Sequence, residues 1–130
     1  MTAPLSDTER QDKLGHLARL RVAYHQTFSE QDALSKGVNL LKDNIASLTE
    51  QIARDEASLR NSACDSSFRS SDLVELAKKI ALDRQGREVL SETKRALAHK
   101  ELLMERQSSE QFDEIDRLAA ELGVEAEVSQ

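Results

Sequence analysis

Apolar residues recur every seven positions through most of this chain. One column occupies the first half: Leu17, Tyr24, Gln31, Val38, Ile45, Ile52 and Leu59. A second column occupies the other half: Leu76, Asp83, Leu90, Leu97, Met104, Gln111 and Leu118. Seven-residue spacing keeps side chains on one stripe of an α-helix, and such a stripe packs against a helical partner. The pattern therefore predicts an all-α fold, a long antiparallel two-helix coiled-coil hairpin that takes in all 130 residues as a single domain.

Capping signals set the expected start of the first helix. Ser6, followed by Glu9 three residues later, has the form of a capping box, so we expect this helix over residues 7–60. A kink or break within residues 27–37 is the alternative, because Thr27 can cap a new helix and Gly37 can end one. A break there would convert the hairpin into a three-helix arrangement.

The middle of the chain predicts a turn. Residues 61–71 are small, polar and rich in serine, and such residues favour turns over helix interiors. Asp72 is the expected cap of a second helix over residues 72–122. Gly123 lies just past the end of that helix and begins a tail, 123–130, that we expect to be frayed.

Flanking residues suggest how the two helices pair. The leucines beside the first column change sides, since Leu14 precedes a column member by three positions whereas Leu34, Leu41 and Leu48 follow one. Folding the chain about residues 65–66 pairs residue i with about residue 131 − i. Polar residues also fall at the predicted interface, either as charged stems lying over a shallow seam or as groups that fix the register. They are Arg21, Gln31, Ser35, Asp83, Arg87, Lys94 and Glu101.

Some apolar residues fall outside the predicted interface and are candidates for binding other proteins. Leu82, Val89 and Leu103 form a separate row on the second helix, which suggests a further partner or self-association. Phe68 and Arg69 lie in the polar tip, either folded back on the last turn or presented as an anchor for a partner, because aromatic and arginine residues often dominate interfaces.

Charge is distributed unevenly along the chain. The formal net charge is −6, and the residues from Glu105 onward contain eight acidic and two basic residues. This acidic end either confers solubility or docks a basic protein surface, and it repels nucleic-acid phosphates. Its candidate binding residues are Glu110, Asp113, Glu114, Asp116 and Glu121.

The sequence offers little for catalysis or for cofactors. Its three histidines have no metal-ligand spacing, and it contains no glycine-rich phosphate loop and no Gly-x-Ser-x-Gly motif. We expect no enzymatic activity, no cofactor and no metal. The single cysteine, Cys64, excludes an intrachain disulfide, and no signal peptide or membrane-spanning stretch is evident. These features predict a cytoplasmic protein that does not insert into membranes and does not bind nucleic acid.

The opening Leu14-x-x-Leu17-x-x-Leu20-Arg21-Val22, followed by a charged helix, a turn and a returning helix, resembles the FliJ/YscO family of type III secretion and flagellar export. The resemblance covers nearly the whole chain, mainly as architecture. It implies a cytosolic antiparallel coiled-coil stalk that associates with the export ATPase and engages chaperones and the export gate. It assigns no binding residue to this chain.

Two functions therefore stand as predictions. The first is a non-enzymatic stalk or adaptor of a multiprotein machine, with an export ATPase, an export gate or chaperones as partners. The second is a self-associating helical chaperone or assembly scaffold that forms homo-oligomers. A third, a regulator of a nucleic-acid enzyme that inserts a coiled-coil tip, ranks below both because the tip contains Asp65 as its only acidic residue before Asp72.

Overall fold

The computed structural model describes residues 5–124, which form an all-α helical hairpin of two long antiparallel helices. Helix α1 is Asp7–Ala63 and helix α2 is Ser70–Leu122, and residues 5–124 contain no strand. The predicted fold class is confirmed. The chain divides into two compact units, which we call the terminal unit (Met1–Leu34 with Lys100–Gln130) and the tip unit (Ser35–His99).

Helix α1 begins where the capping signal placed it and runs without a break. The Ser6 side-chain oxygen accepts a hydrogen bond from the Glu9 backbone N–H at 3.2 Å, which satisfies one of the free donors of the first turn. The alternative of a break within residues 27–37 is wrong. Thr27 is buried and its hydroxyl donates to the Ala23 carbonyl at 3.0 Å, a bond within the helix rather than a cap. Gly37 lies against α2: a Cβ there would be 3.8 Å from Leu97 Cδ1.

The tip is shorter than the sequence predicted. Helix α1 continues three residues past position 60, and α2 starts at Ser70, so the turn occupies residues 64–69. Asp72 does not cap α2, because its own N–H already donates to the Arg69 carbonyl at 3.1 Å within the first turn. The carboxylate of Asp72 instead lies in that first turn, where the helix dipole favours negative charge.

Gly123 ends α2 as predicted. Its φ of 67° is left-handed, its N–H donates to the Ala120 carbonyl at 3.2 Å, and the Val124 N–H donates to the Ala119 carbonyl at 3.0 Å. This pair of bonds is the Schellman motif, which satisfies carbonyls that the helix leaves free. Residues 125–130 of the predicted tail lie outside the described residues.

The same glycine-to-alanine change should have opposite effects at two positions. Gly123→Ala should lower the free energy of unfolding by about 1–2 kcal/mol, because a Cβ is strained at positive φ. Gly15→Ala should raise it by about 0.5–1 kcal/mol, since Gly15 lies inside α1 and its Cβ would meet only the flexible Arg19 side chain at 3.6 Å. Urea unfolding measures both, and a Gly123→Ala variant as stable as the unmodified chain would contradict the role given to this cap.

The terminal unit holds the better-formed core. Leu17 of α1 packs with apolar residues of α2 that lie one helical turn apart, and further residues from both helices cover this cluster. The buried residues are Leu17, Ile115, Leu118, Ala119 and Leu122; those packed against them are Leu5, Leu14, Leu20, Tyr24 and Val124. Apolar residues within 115–122 of the acidic end therefore belong to this core.

The tip unit has a thinner core. Ile52 and Ile80 are its buried residues, whereas the remaining column members, such as Ile45 and Leu90, are only half-buried. Ion pairs also connect the two helices here: Lys79 Nζ lies 2.5 Å from Asp55 Oδ2, and Arg84 lies 2.6 Å from Glu56. Every member of both seven-residue columns is buried or half-buried, so the predicted inward stripes are confirmed.

The register differs by about three residues from the sequence-based prediction. Lys13 pairs with Glu121 in the terminal unit, and Asp55 pairs with Lys79 in the tip unit. The residue numbers of each pair add to 134 instead of 131. The cause is the tip, because the turn is centred between Ala63 and Ser70 rather than at residues 65–66.

The companion row does not change sides as the leucines suggested. The row three positions after the column continues through Thr27, which is buried, and Asp55, whose side chain is only 13% exposed. Polar residues thus occupy true interior positions. In the terminal unit a polar contact connects the two helices, because the Ser108 hydroxyl lies 3.2 Å from the Gln31 side-chain oxygen.

Candidate functional site

The predicted outer row on α2 is exposed. Leu82 is 67% exposed and Val89 is 56% exposed, both in the tip unit, and Leu103 is about half exposed in the terminal unit. Within the tip unit, Leu82 and Val89 continue at a seven-residue spacing to Ala96, which is also exposed. Their role in binding stays a prediction.

The tip presents both residues that the sequence singled out. Phe68 and Arg69 are exposed, at the end of a turn in which the Phe68 N–H donates to the Asp65 carbonyl at 3.2 Å. The Ser67 backbone N–H and its hydroxyl donate to Asp65 Oδ1 at 2.9 and 2.7 Å, and these bonds lower the pKa of the Asp65 carboxyl. Phe68 does not fold into a core, and Cys64 beside it is exposed.

The acidic end divides into two sets of residues. Glu114 and Glu121 contact α1: His16 Nε2 lies 3.6 Å from Glu114, and Lys13 pairs with Glu121. The others, Glu110, Asp113 and Asp116, are exposed and make no ion pair within residues 5–124. The charges of this second set are free for a partner.

An aromatic cluster in the terminal unit was not predicted. The rings of Tyr24 and Phe28 are stacked with centroids 6.3 Å apart, and the Tyr24 and Phe112 rings are 6.1 Å apart. Phe112 stays partly exposed, so the cluster forms the rim of the helix–helix interface rather than its centre. Pairing by 131 − i placed Gln107, not Phe112, opposite Tyr24, so the sequence-based register missed the contact between these two rings.

The ion pairs of the tip unit were also missed. Lys79 lies 2.5 Å from Asp55 and 3.5 Å from Asp83, so one ammonium group serves a carboxylate on each helix. The hydrogen bond from Lys79 lowers the pKa of Asp55, and the same bond raises the pKa of Lys79. Both groups are thus held charged, which suits a structural ion pair rather than proton transfer.

The described surface carries open grooves. Three of them measure about 330, 420 and 470 Å³, and their lining includes Leu102 and Ser109 in one and Lys94 and Ala98 in another. Within residues 5–124, no three histidine, cysteine, aspartate or glutamate side chains gather to hold a metal ion. No described helix is long and apolar enough to cross a membrane.

What the arrangement offers chemically is contact surface: exposed apolar side chains, an exposed tip and unpaired carboxylates.

Comparison of the chain with protein-family models, with curated proteins and with solved structures finds no match.

Proposed function

We propose that this protein is a non-enzymatic coiled-coil stalk or adaptor that holds other proteins together. One observation carries the proposal: the structure leaves more large apolar side chains on its surface than it buries. Within residues 5–124, seven hydrophobic residues are buried, whereas nine large ones are exposed: Val22, Leu40, Phe68, Val74, Leu82, Val89, Leu102, Leu103 and Phe112. Clustered exposed apolar residues are typical of proteins that bind other proteins.

The machine that this adaptor serves is, in our proposal, a cytoplasmic type III secretion export apparatus. The support is the resemblance of the Leu14-x-x-Leu17-x-x-Leu20 start and of the hairpin architecture to the FliJ/YscO family. Partners would then be an export ATPase, an export gate or secretion chaperones. The exposed tip residues Phe68 and Arg69 and the unpaired carboxylates Glu110, Asp113 and Asp116 supply contacts of different chemistry for different partners.

A self-associating chaperone or assembly scaffold is the second candidate. The observation that favours it is the exposure of Leu82 and Val89 one heptad apart on a single helix face. A chain of this kind would shield a partner while also binding its own copies.

A direct binding measurement tests the first candidate. The purified chain should bind the purified export ATPase or the gate domain of its own organism, as followed by calorimetry. Phe68→Ala should weaken that binding by about tenfold if the tip is an anchor, because truncating a hot-spot side chain costs more than about 1 kcal/mol. Asn39→Ala, at an exposed position on α1 outside the candidate binding residues, is the control and should leave affinity unchanged.

The negative outcome is equally definite. Binding to neither export component, together with suppression of aggregation of an unfolded client, would overturn the stalk and support the chaperone.

A further inference from the structure

One stripe of α2 in the tip unit is exposed along its whole length. Its members follow one another at spacings of three or four residues, which places them on one side of a helix. None of them is buried against α1. They are Glu75, Lys78, Leu82, Gln85, Val89, Glu92 and Arg95.

The order of residues along this stripe is self-complementary. Before Gln85 the residues are acidic, basic and apolar, in the order Glu75, Lys78 and Leu82. After Gln85 they are apolar, acidic and basic, in the order Val89, Glu92 and Arg95. A copy running in the opposite direction therefore sets Glu75 opposite Arg95 and Lys78 opposite Glu92. It also sets Leu82 opposite Val89, the two apolar residues of the stripe, both more than half exposed.

We propose that a second copy of this chain packs antiparallel on this stripe, with a two-fold axis beside Gln85. Such an interface is isologous, so each contact occurs twice and a single matched pair contributes two ion pairs. The stripe carries two acidic and two basic residues, so the net charge of −6 is not concentrated where the copies meet. Leu82 and Val89 supply the apolar centre, and the charged pairs flank it.

Charge also selects the orientation. A parallel copy in register would set Glu75 against Glu75 and Arg95 against Arg95, and like charges in contact are destabilising. The antiparallel copy converts all of these contacts into attractive ones. In the single chain, Lys78 makes only an exposed bond to Glu75 at 3.5 Å, so it is available to exchange partners.

The contact is small, because it comprises two helical turns of apolar residues with a charged rim. Interfaces of this size are weak or transient, so we expect dissociation constants between about 10 µM and 1 mM. The pairing goes beyond the adaptor function and does not depend on which other proteins the hairpin binds.

Charge reversal tests the pairing. Sedimentation velocity over that concentration range should show reversible dimers of the full chain. Glu75→Arg and Arg95→Glu should each weaken dimerisation by about tenfold, since each repulsive contact occurs twice. The double variant Glu75→Arg/Arg95→Glu should restore it, because the matched pair is re-formed with its signs exchanged.

Matched controls keep this test independent of folding. Glu50→Arg changes the same charge on an exposed position of α1 in the same unit and should leave dimerisation unchanged. Circular dichroism should show unaltered helix content for every variant. A monomer at all concentrations, a double variant as weak as the single ones, or an equal effect of Glu50→Arg would overturn the pairing. None of these results affects binding to an export ATPase, so failure here and failure of the adaptor function are distinguishable.

A mixed cross-link tests the orientation. In a Cys64→Ser background, a Lys78→Cys protein mixed with a Glu92→Cys protein should form the mixed disulfide under mild oxidation faster than either protein alone forms its own. Faster self-cross-linking of each protein would indicate a parallel dimer and overturn the proposal.

Discussion

Replacing Ile115 with alanine is expected to lower the free energy of unfolding by about 2–5 kcal/mol. Ile115 is 0% exposed and belongs to the cluster that packs Leu17 against α2. The loss combines the transfer of the deleted methyl and methylene groups with the cavity that they leave, which neighbouring side chains fill only in part. Because small domains are stable by only about 5–15 kcal/mol, this single change should remove a large share of the stability. Urea unfolding followed by circular dichroism measures it.

Leu102→Ala is the matched control for that change. Leu102 lies on the same helix and in the same unit but is 55% exposed. Its truncation should change the free energy of unfolding by no more than about 0.5 kcal/mol. Equal losses for Ile115→Ala and Leu102→Ala would show that the terminal unit has no distinct core.

Ile80→Asp should be at least as damaging in the tip unit, costing about 3–5 kcal/mol as an uncompensated buried charge. Ile80 is 4% exposed, and Ile52 is the other buried residue of that unit. The carboxylate would lose water without gaining a partner, so we expect a marked loss of helix content near physiological temperature. Ellipticity at the helix band and the urea midpoint report the effect.

Leu82→Asp, two residues further along α2, is the control for charge and for helix propensity. Leu82 is 67% exposed, so the same carboxylate stays in water there. At concentrations where the chain is monomeric, Leu82→Asp should leave stability within about 0.5 kcal/mol of the unmodified chain. If the two aspartates destabilised the chain equally, the assignment of inward and outward faces on α2 would be wrong.

The inward faces could be predicted because a seven-residue period is a property of the helix itself. Leu17 and Ile52 share a column whatever the tip does, and the structure buries both. The end at Gly123 was equally predictable, since glycine alone adopts positive φ without strain. Such local preferences are written into the sequence within a few residues of where they act.

The register could not be predicted because it depends on the tip, where local preferences are weak. Serine tolerates both turn and first helical turn, so nothing in residues 61–71 marks Ala63 as the end of α1 or Ser70 as the start of α2. A three-residue error at the tip carries through each unit and hides the Tyr24, Phe28 and Phe112 cluster. The alternative of a break at Thr27 failed for a related reason. The Thr27 hydroxyl can cap a new helix or donate to a carbonyl one turn earlier in the same helix, and here it donates to Ala23.

For the candidate binding surfaces, the sequence predicted only which residues are exposed. Leu82 and Phe68 had no place in the inward columns, and the structure exposes both. What binds them is not encoded in a period, since a partner contributes half of any interface. The same is true of the exposed carboxylates of the acidic end, because the sequence does not identify what binds them. Separating Asp113 and Asp116 from Glu114 and Glu121 required the contacts that the two glutamates make with α1.

The unbroken three-and-four spacing of inward positions limits how this hairpin can change in length. Within the tip unit, Ile52 of α1 and Ile80 of α2 are buried because their positions in the helical repeat place both on the inward faces. A deletion of one or two residues in either helix would rotate every later side chain off the seam. Loss or gain of seven residues in both helices together preserves the phase and the pairing. We therefore expect length variants of this chain to occur as matched heptads, while the exposed turn at residues 64–69 tolerates insertions.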